Sequence, residues 1–178
     1  MQKFLLHTCC APCSAAIIEW LLAADIHPTL FFYNPNIYPL TEYEIRKAEL
    51  VRYANAQGIE MIDGDYDHEY WLRQVSGLER EPERGDRCMQ CFKMRMMATA
   101  SLACELRIKI FATSLASSRW KSLEQIAQAG HYAAKRHDGV EFWEKNWRKG
   151  GLSERRIELL NENAFYNQQY CGCEFSIK

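Results

Sequence analysis

No apolar run in this sequence approaches the ~20 residues that a membrane-spanning helix needs. The apolar stretch before His7 is too short for a secretory signal. A chain with neither is expected in the cytoplasm, without a membrane partner. Nucleotide signatures are missing too. There is no GxxxxGKS or GxxxxGKT loop for phosphates and no GxGxxG after a strand, which argues against ATP- or NAD-dependent chemistry. The H-x-E…C-x-x-C pattern of zinc deaminases does not occur either. Internal repeats and low-complexity segments are absent, and Gly (9) and Pro (5) are sparse in 178 residues. The net charge of −1 selects no class of partner, but the halves differ. Residues 1–90 carry 8 Lys and Arg against 14 Asp and Glu, and residues 91–178 carry 14 against 9. Such asymmetry leaves room for one basic face toward an anionic partner.

What the chain does have is cysteine. Seven of its eight cysteines form three tight groups: Cys9-Cys10-x-x-Cys13, Cys88-x-x-Cys91 and Cys171-x-Cys173. In a reducing compartment such clusters serve as metal ligands or catalytic thiols rather than structural disulfides. Cys104 stands alone in a helical stretch and is expected in the core, where free cysteine is common.

The pattern predicts strands at 3–8, 28–33, 59–63 and 108–114. Helices are predicted at 14–25, 41–57, 67–75, 89–106, 122–135 and 153–161. Thr41 and Glu44 read as a capping box, and Gly58 as a helix stop. Strands alternating with helices imply an α/β fold, a mostly parallel sheet with helices on both faces.

The first cysteine group directly follows a strand and precedes a helix. That is the carboxyl edge of a parallel sheet, where ligands bind and helix N–H groups favour anions. Cys88 and Cys91, three apart on a first helical turn, share a face. Gly172 permits a tight turn between the last pair. Four thiolates hold a [4Fe–4S] cluster or a structural zinc. Seven exceed either need, which points to a second metal or a redox-active dithiol.

The strings His7-Thr-Cys-Cys-Ala-Pro-Cys-Ser14, Phe32-Tyr-Asn-Pro-Asn-Ile37, Glu42-Tyr43 with Arg46, Arg87-Cys-Met-Gln-Cys-Phe92 with Met94-Arg95, and Tyr170-Cys-Gly-Cys173 resemble the QueH-type epoxyqueuosine reductases. The resemblance runs nearly the whole chain, making 1–178 a single α/β iron–sulfur reductase domain. It implies a Rossmann-like fold related to the HUP nucleotide-binding proteins, with CCAPC standing where ATP-dependent relatives carry SGGxDS. It implies reductive deoxygenation of epoxyqueuosine to queuosine at the tRNA wobble position, the last step of queuosine synthesis. The cofactors implied are a [4Fe–4S] cluster and an additional mononuclear iron, with no cobalamin. It also implies an external electron donor such as ferredoxin or flavodoxin, with tRNA as the substrate partner. Carried onto this chain, Cys9, Cys10, Cys88 and Cys91 are cluster ligands. Cys171 and Cys173 are a redox-active pair able to close as a disulfide, or ligands of the second iron, to which Cys13 also belongs. The rivals are a HUP-fold tRNA sulfur-transfer enzyme and a zinc-stabilised RNA-binding module.

Further residues join these. His7 either supplies a proton at the site or is a core strand histidine. Asn34 and Asn36, after the second strand, either bind substrate or shape the turn at Pro35. Asp65 and Asp67 are a proton donor or turn and cap residues. Arg87 and Arg95 flank the second cysteine group, where they can hold RNA phosphates and moderate thiolate charge. The basic, aromatic surface segment 135–156 carries Arg148 and Lys149 with Phe142, Trp143 and Trp147. This suits a splayed anticodon loop, unless the tryptophans are core.

Overall fold

In the computed structural model, which describes residues 2–178, five parallel strands form one sheet in the order β3-β2-β1-β4-β5. They are β1 (Lys3–Thr8), β2 (His27–Phe32), β3 (Met61–Asp63), β4 (Ile110–Thr113) and β5 (Glu141–Phe142). Central β1 is buried on both faces from Phe4 onward, as a strand covered by helices on either side must be. Its register pairs His7 with Phe31 on one side and with Thr113 on the other. The strand order reverses at β1, so the crossover helices fall on opposite faces and a crevice opens between the carboxyl ends of β1 and β4.

Six helices accompany the sheet: α1 (Ala11–Ala23), α2 (Leu40–Gln57), α3 (His68–Gln74), α4 (Asp86–Glu105), α5 (Leu123–Ala134) and α6 (Leu152–Glu162). α1 packs against α2 and α6, and α4 packs against α5. Short 3₁₀ turns follow β4 (Ser114–Ser117) and close the tail (Glu174–Ser176).

Several boundaries differ from expectation. α1 starts three residues early, because Pro12 in the first turn has the helical φ and lacks only an N–H that is unused there. Cys13 therefore lies inside the helix. The Thr41–Glu44 capping box does not form: α2 starts at Leu40 with Pro39 at the cap. Gly58 does end α2, in the left-handed conformation at φ 66°. The two-residue strand β5 has no counterpart among the predicted strands, because two residues carry no alternation. Cys104 is exposed, not core: Ala100 and Ala103 take the buried face of α4 there.

The aromatics of 135–156 face inward. Trp147 is 2% exposed, and Trp143 packs edge-on against Phe4 at 5.6 Å and beside Trp20 at 6.0 Å. Phe142 sits on Phe111 at 5.3 Å. Burying this much ring area outweighs leaving it free for bases. Trp147 is therefore a core residue, while Phe142 and Trp143 pack on the core with part of each ring exposed.

Candidate metal centre

Cys9 and Cys10 follow the last residue of β1, and Cys13 rides the first turn of α1. The three Sγ atoms lie within 4.8 Å of one another. The chain turns sharply because Cys10 caps α1 in an extended conformation. Across the crevice, Ser114 at the end of β4 accepts from the Cys9 N–H at 3.1 Å, and its hydroxyl lies 3.3 Å from the Cys9 Sγ. Ser117 donates to the Cys13 carbonyl at 3.0 Å. The topological switch point and the thiol triad are one place.

The other four clustered thiols gather beside it. Cys88 and Cys91 stand on the first turns of α4. Cys88 lines a crevice of about 20 Å³ with Cys171, Cys173 and Lys121. Cys91 and Cys173 pack with Trp71 and Val75. All eight cysteines are free thiols, so Cys171 and Cys173 stand here in the dithiol form. Among the described residues, Cys9, Cys10 and Cys13 alone form a three-ligand group at metal-binding spacing.

Two buried cations stand among the thiols. Arg95 is 1% exposed and donates to the Cys91 Sγ at 3.9 Å and to Asn34 Oδ1 at 2.5 Å. Asn34 in turn donates to the Thr8 carbonyl at 2.9 Å, linking α4 to the end of β1. Lys121, 5% exposed, forms no ion pair among the described residues. Burial works against its charge, but Cys171, Cys9 and Cys13 outweigh that and raise its pKa. The role of Lys121 as internal counter-charge depends on the fold.

The thiols divide into donors and one acceptor. Hydrogen bonds from Cys10 and Cys13 hold Cys9 well below the ordinary thiol range, despite burial, with help from Lys121 and Arg95. Burial pushes Cys10 well above that range and Cys88 up to about 11. A ligand set of this kind loses protons as it takes up metal.

Metal–sulfur groups need clustered thiolates, compensating charge and N–H donors toward sulfur. The Cys9 and Cys10 Sγ atoms are 3.8 Å apart, close enough to face one metal group. The buried donors Trp71 Nε1, Arg87 Nε and Arg95 Nε have no partner in the protein. Trp71 packs in the same cluster as Cys91 and Cys173. These residues fit an anionic, sulfur-ligated metal group.

The tail carrying Cys171 and Cys173 is fixed by α2. Arg46 donates to the carbonyls of Cys171 at 3.0 Å and Tyr170 at 3.1 Å, while its own charge is met by Glu42 at 2.8 Å. The Gly172 carbonyl accepts from Tyr38 N–H at 2.9 Å. At φ 145°, a Cβ on Gly172 would come within 3.2 Å of both Arg46 and Asn36, so only glycine fits. Asn36 is 3% exposed, with its Oδ1 unpartnered.

Other candidates serve the scaffold. His7 is fully buried, its Nδ1 paired with Thr113 Oγ1 and its Nε2 with the Tyr33 carbonyl, both at 2.9 Å. The Tyr33 carbonyl can only accept, so Nε2 is the protonated nitrogen and Nδ1 accepts from the Thr113 hydroxyl, whose oxygen also accepts from Leu115 N–H. Burial and Arg95 depress the His7 pKa to about 3, so the core reading holds. Asp67 caps α3, and Asp65 is exposed. Arg87, 2% exposed, donates through Nη1 to the carbonyls of Leu78, Glu79 and Glu81. Arg148 ties the carbonyls of Ser118 and Lys121, and Lys149 is exposed.

A doubly wound α/β protein with a thiolate metal centre at its switch point is the class that fold and site define. Within that class, the chain belongs to the epoxyqueuosine reductase QueH family, whose model matches residues 4–178. It is 49% identical over 177 residues to the epoxyqueuosine reductase QueH of Histophilus somni (strain 129Pt), spanning 99% of this chain and 73% of the relative. The Acinetobacter baylyi relative of the same description is 47% identical, with 99% and 81% covered. Among solved structures, the U34-tRNA thiolase NcsA from Methanococcus maripaludis with its [4Fe-4S] cluster aligns at TM-score 0.54 and 16% identity, over 98% of this chain and 61% of that one. That likeness establishes the fold alone. No helix among the described residues is long and apolar enough to cross a membrane.

Proposed function

We infer that this chain is an iron–sulfur epoxyqueuosine reductase acting on tRNA. The observation that carries the reading is family membership over residues 4–178 in a chain whose Cys9, Cys10 and Cys13 thiols gather at the sheet's switch point. In the reaction both epoxide C–O bonds break and a C=C bond forms. Two electrons and two protons enter, and the oxygen leaves as water. When bound, a [4Fe–4S] cluster with an adjacent mononuclear iron supplies the electrons and a Lewis acid for the oxygen. Cys9, Cys10, Cys88 and Cys91 hold the cluster in this reading, with Cys13 and the tail pair Cys171 and Cys173 serving the second iron or a dithiol couple. A ferredoxin or flavodoxin delivers electrons from outside, and no cobalamin takes part.

The chain's own residues set the conditions. Arg95 and Lys121 offset thiolate charge inside a buried site, and Ser114 holds Cys9 in place. His7, neutral and doubly hydrogen-bonded, supplies no proton. The test is anaerobic purification with iron and sulfide quantification, a visible spectrum before and after dithionite, and turnover on epoxyqueuosine-containing tRNA. About four irons with sulfide, a ~400 nm shoulder that bleaches on reduction, and queuosine formation support the reading. Colourless protein with stoichiometric zinc, after iron was supplied, overturns it in favour of a zinc-stabilised RNA-binding module.

A further inference from the structure

A second concavity, of about 520 Å³, opens beside the thiol triad and ends on Cys13. Its size falls in the range of small-molecule sites, roughly 300–1,000 Å³. Cys13 is the half-exposed member of the triad, whereas Cys9 and Cys10 are buried. No carboxylate lines the cavity, but Arg119, Arg148 and Arg156 do. Arg148 is occupied by backbone carbonyls. Arg119 and Arg156 form no ion pair among the described residues. The contrast with neighbouring Arg155 is sharp, since its guanidinium is shared by Glu19, Glu158 and Glu162.

The wall contributes a ring. Of the five tryptophans, Trp20, Trp71, Trp143 and Trp147 each pack on another aromatic ring. Trp120 lines the cavity half-exposed, with no ring partner among the described residues. Asn167 and Gln168 add side-chain amides, whose donors and acceptors suit a base edge. Unpaired cations, a free flat ring and amides around one nucleotide-sized hollow are what a single-stranded RNA nucleotide needs: phosphate pairing, stacking and edge recognition.

We propose that this cavity receives one unstacked RNA nucleotide, its base against Trp120 and its flanking phosphates on Arg119 and Arg156, and delivers it to the Cys13 end of the thiol centre. The proposal rests on the reading of the chain as acting on tRNA and assigns where that RNA enters.

The experiment measures anisotropy of a labelled tRNA anticodon stem–loop bearing plain guanosine at the wobble position, bound to the metal-loaded protein under anaerobic conditions. Arg119→Gln/Arg156→Gln should weaken binding at least tenfold and lower the slope of log K against log salt by about 1.4, for two lost phosphate contacts on a single strand. Trp120→Leu should weaken binding roughly tenfold with the salt slope unchanged. Lys3→Gln/Arg107→Gln removes the same charge at the opposite, amino-terminal edge of the sheet and should leave the affinity within about twofold. Wild-type affinity in the first two variants overturns the proposal, and so does an equal loss in the third, which would mark diffuse attraction. Turnover on epoxyqueuosine-containing tRNA is scored separately with wild-type protein. Turnover together with unaffected binding in the cavity variants sinks the cavity and spares the reductase. Lost binding without wild-type turnover sinks the reductase and leaves the cavity an RNA site.

Discussion

Arg46 Nη1 donates to the carbonyl of Cys171 at 3.0 Å, across 125 residues of sequence. Through that bond and its partner to Tyr170, a side chain on α2 sets where the tail thiols stand. The guanidinium is 2% exposed and the Glu42 carboxylate 8% exposed, so the pair is held away from screening water.

Arg46→Met should therefore strip Glu42 of its counter-ion and free the tail. Breaking one side of a buried ion pair costs about 3–5 kcal/mol, read by chemical denaturation. Maleimide labelling of Cys171 and Cys173 in the native protein should accelerate as well. An unchanged labelling rate would remove Arg46 from the role of tail anchor.

The two thiol groups should respond differently to substitution. Cys88→Ala is expected to abolish cluster absorbance and turnover together. Cys171→Ala should keep most of the iron and sulfide while losing turnover. Full epoxide reduction by Cys171→Ala would refute a chemical role for the tail pair.

His7 gives the pH dependence. Its folded pKa of about 3 lies below the ordinary 6.5, so between those values the unfolded chain binds the extra proton. The stability held by the neutral ring is complete above pH 6.5 and declines as pH falls toward 3. The slope is about 1.4 kcal/mol per pH unit. Imidazole nitrogen shifts of the metal-free protein should show one neutral tautomer, protonated at Nε2, from pH 5 to about 8. A His7 midpoint near 6.5 would contradict the burial argument.

Lys121 is a buried positive charge that interacts with Cys171 of the tail and with Cys9 and Cys13 of the first thiol group. Removing it should disfavour the reduced, more negative cluster. Lys121→Met is expected to retain iron but shift the midpoint potential to more negative values in a spectroscopic redox titration. An unchanged potential would reduce Lys121 to packing.

Much of this was legible in the chain. β1 was read at its true bounds, the end of α2 at Gly58 followed from local backbone chemistry, and the alternation of strands and helices announced a parallel sheet. The cysteine spacings and the strings around them pointed to the family. What failed was local too, but with competing physics. Trp143 and Trp147 among basic residues look the same whether they stack on bases or on Phe4 and Trp20, because composition does not say which face is inside. Nothing local in sequence shows that Arg87 Nη1 turns to the carbonyls of Leu78 and Glu79.

The sequence alone determined which atoms the chemistry uses: thiols at fixed short spacings, one pair at a strand end and another on a helix turn, all encoded within a few residues. Tertiary structure decided which of them meet. The reversal of strand order at β1 brings Ser114 onto Cys9, and Arg46 carries the tail back to α2. Such contacts join residues more than a hundred positions apart. Their energy lies in burial and hydrogen bonds that exist only once the sheet has closed its core.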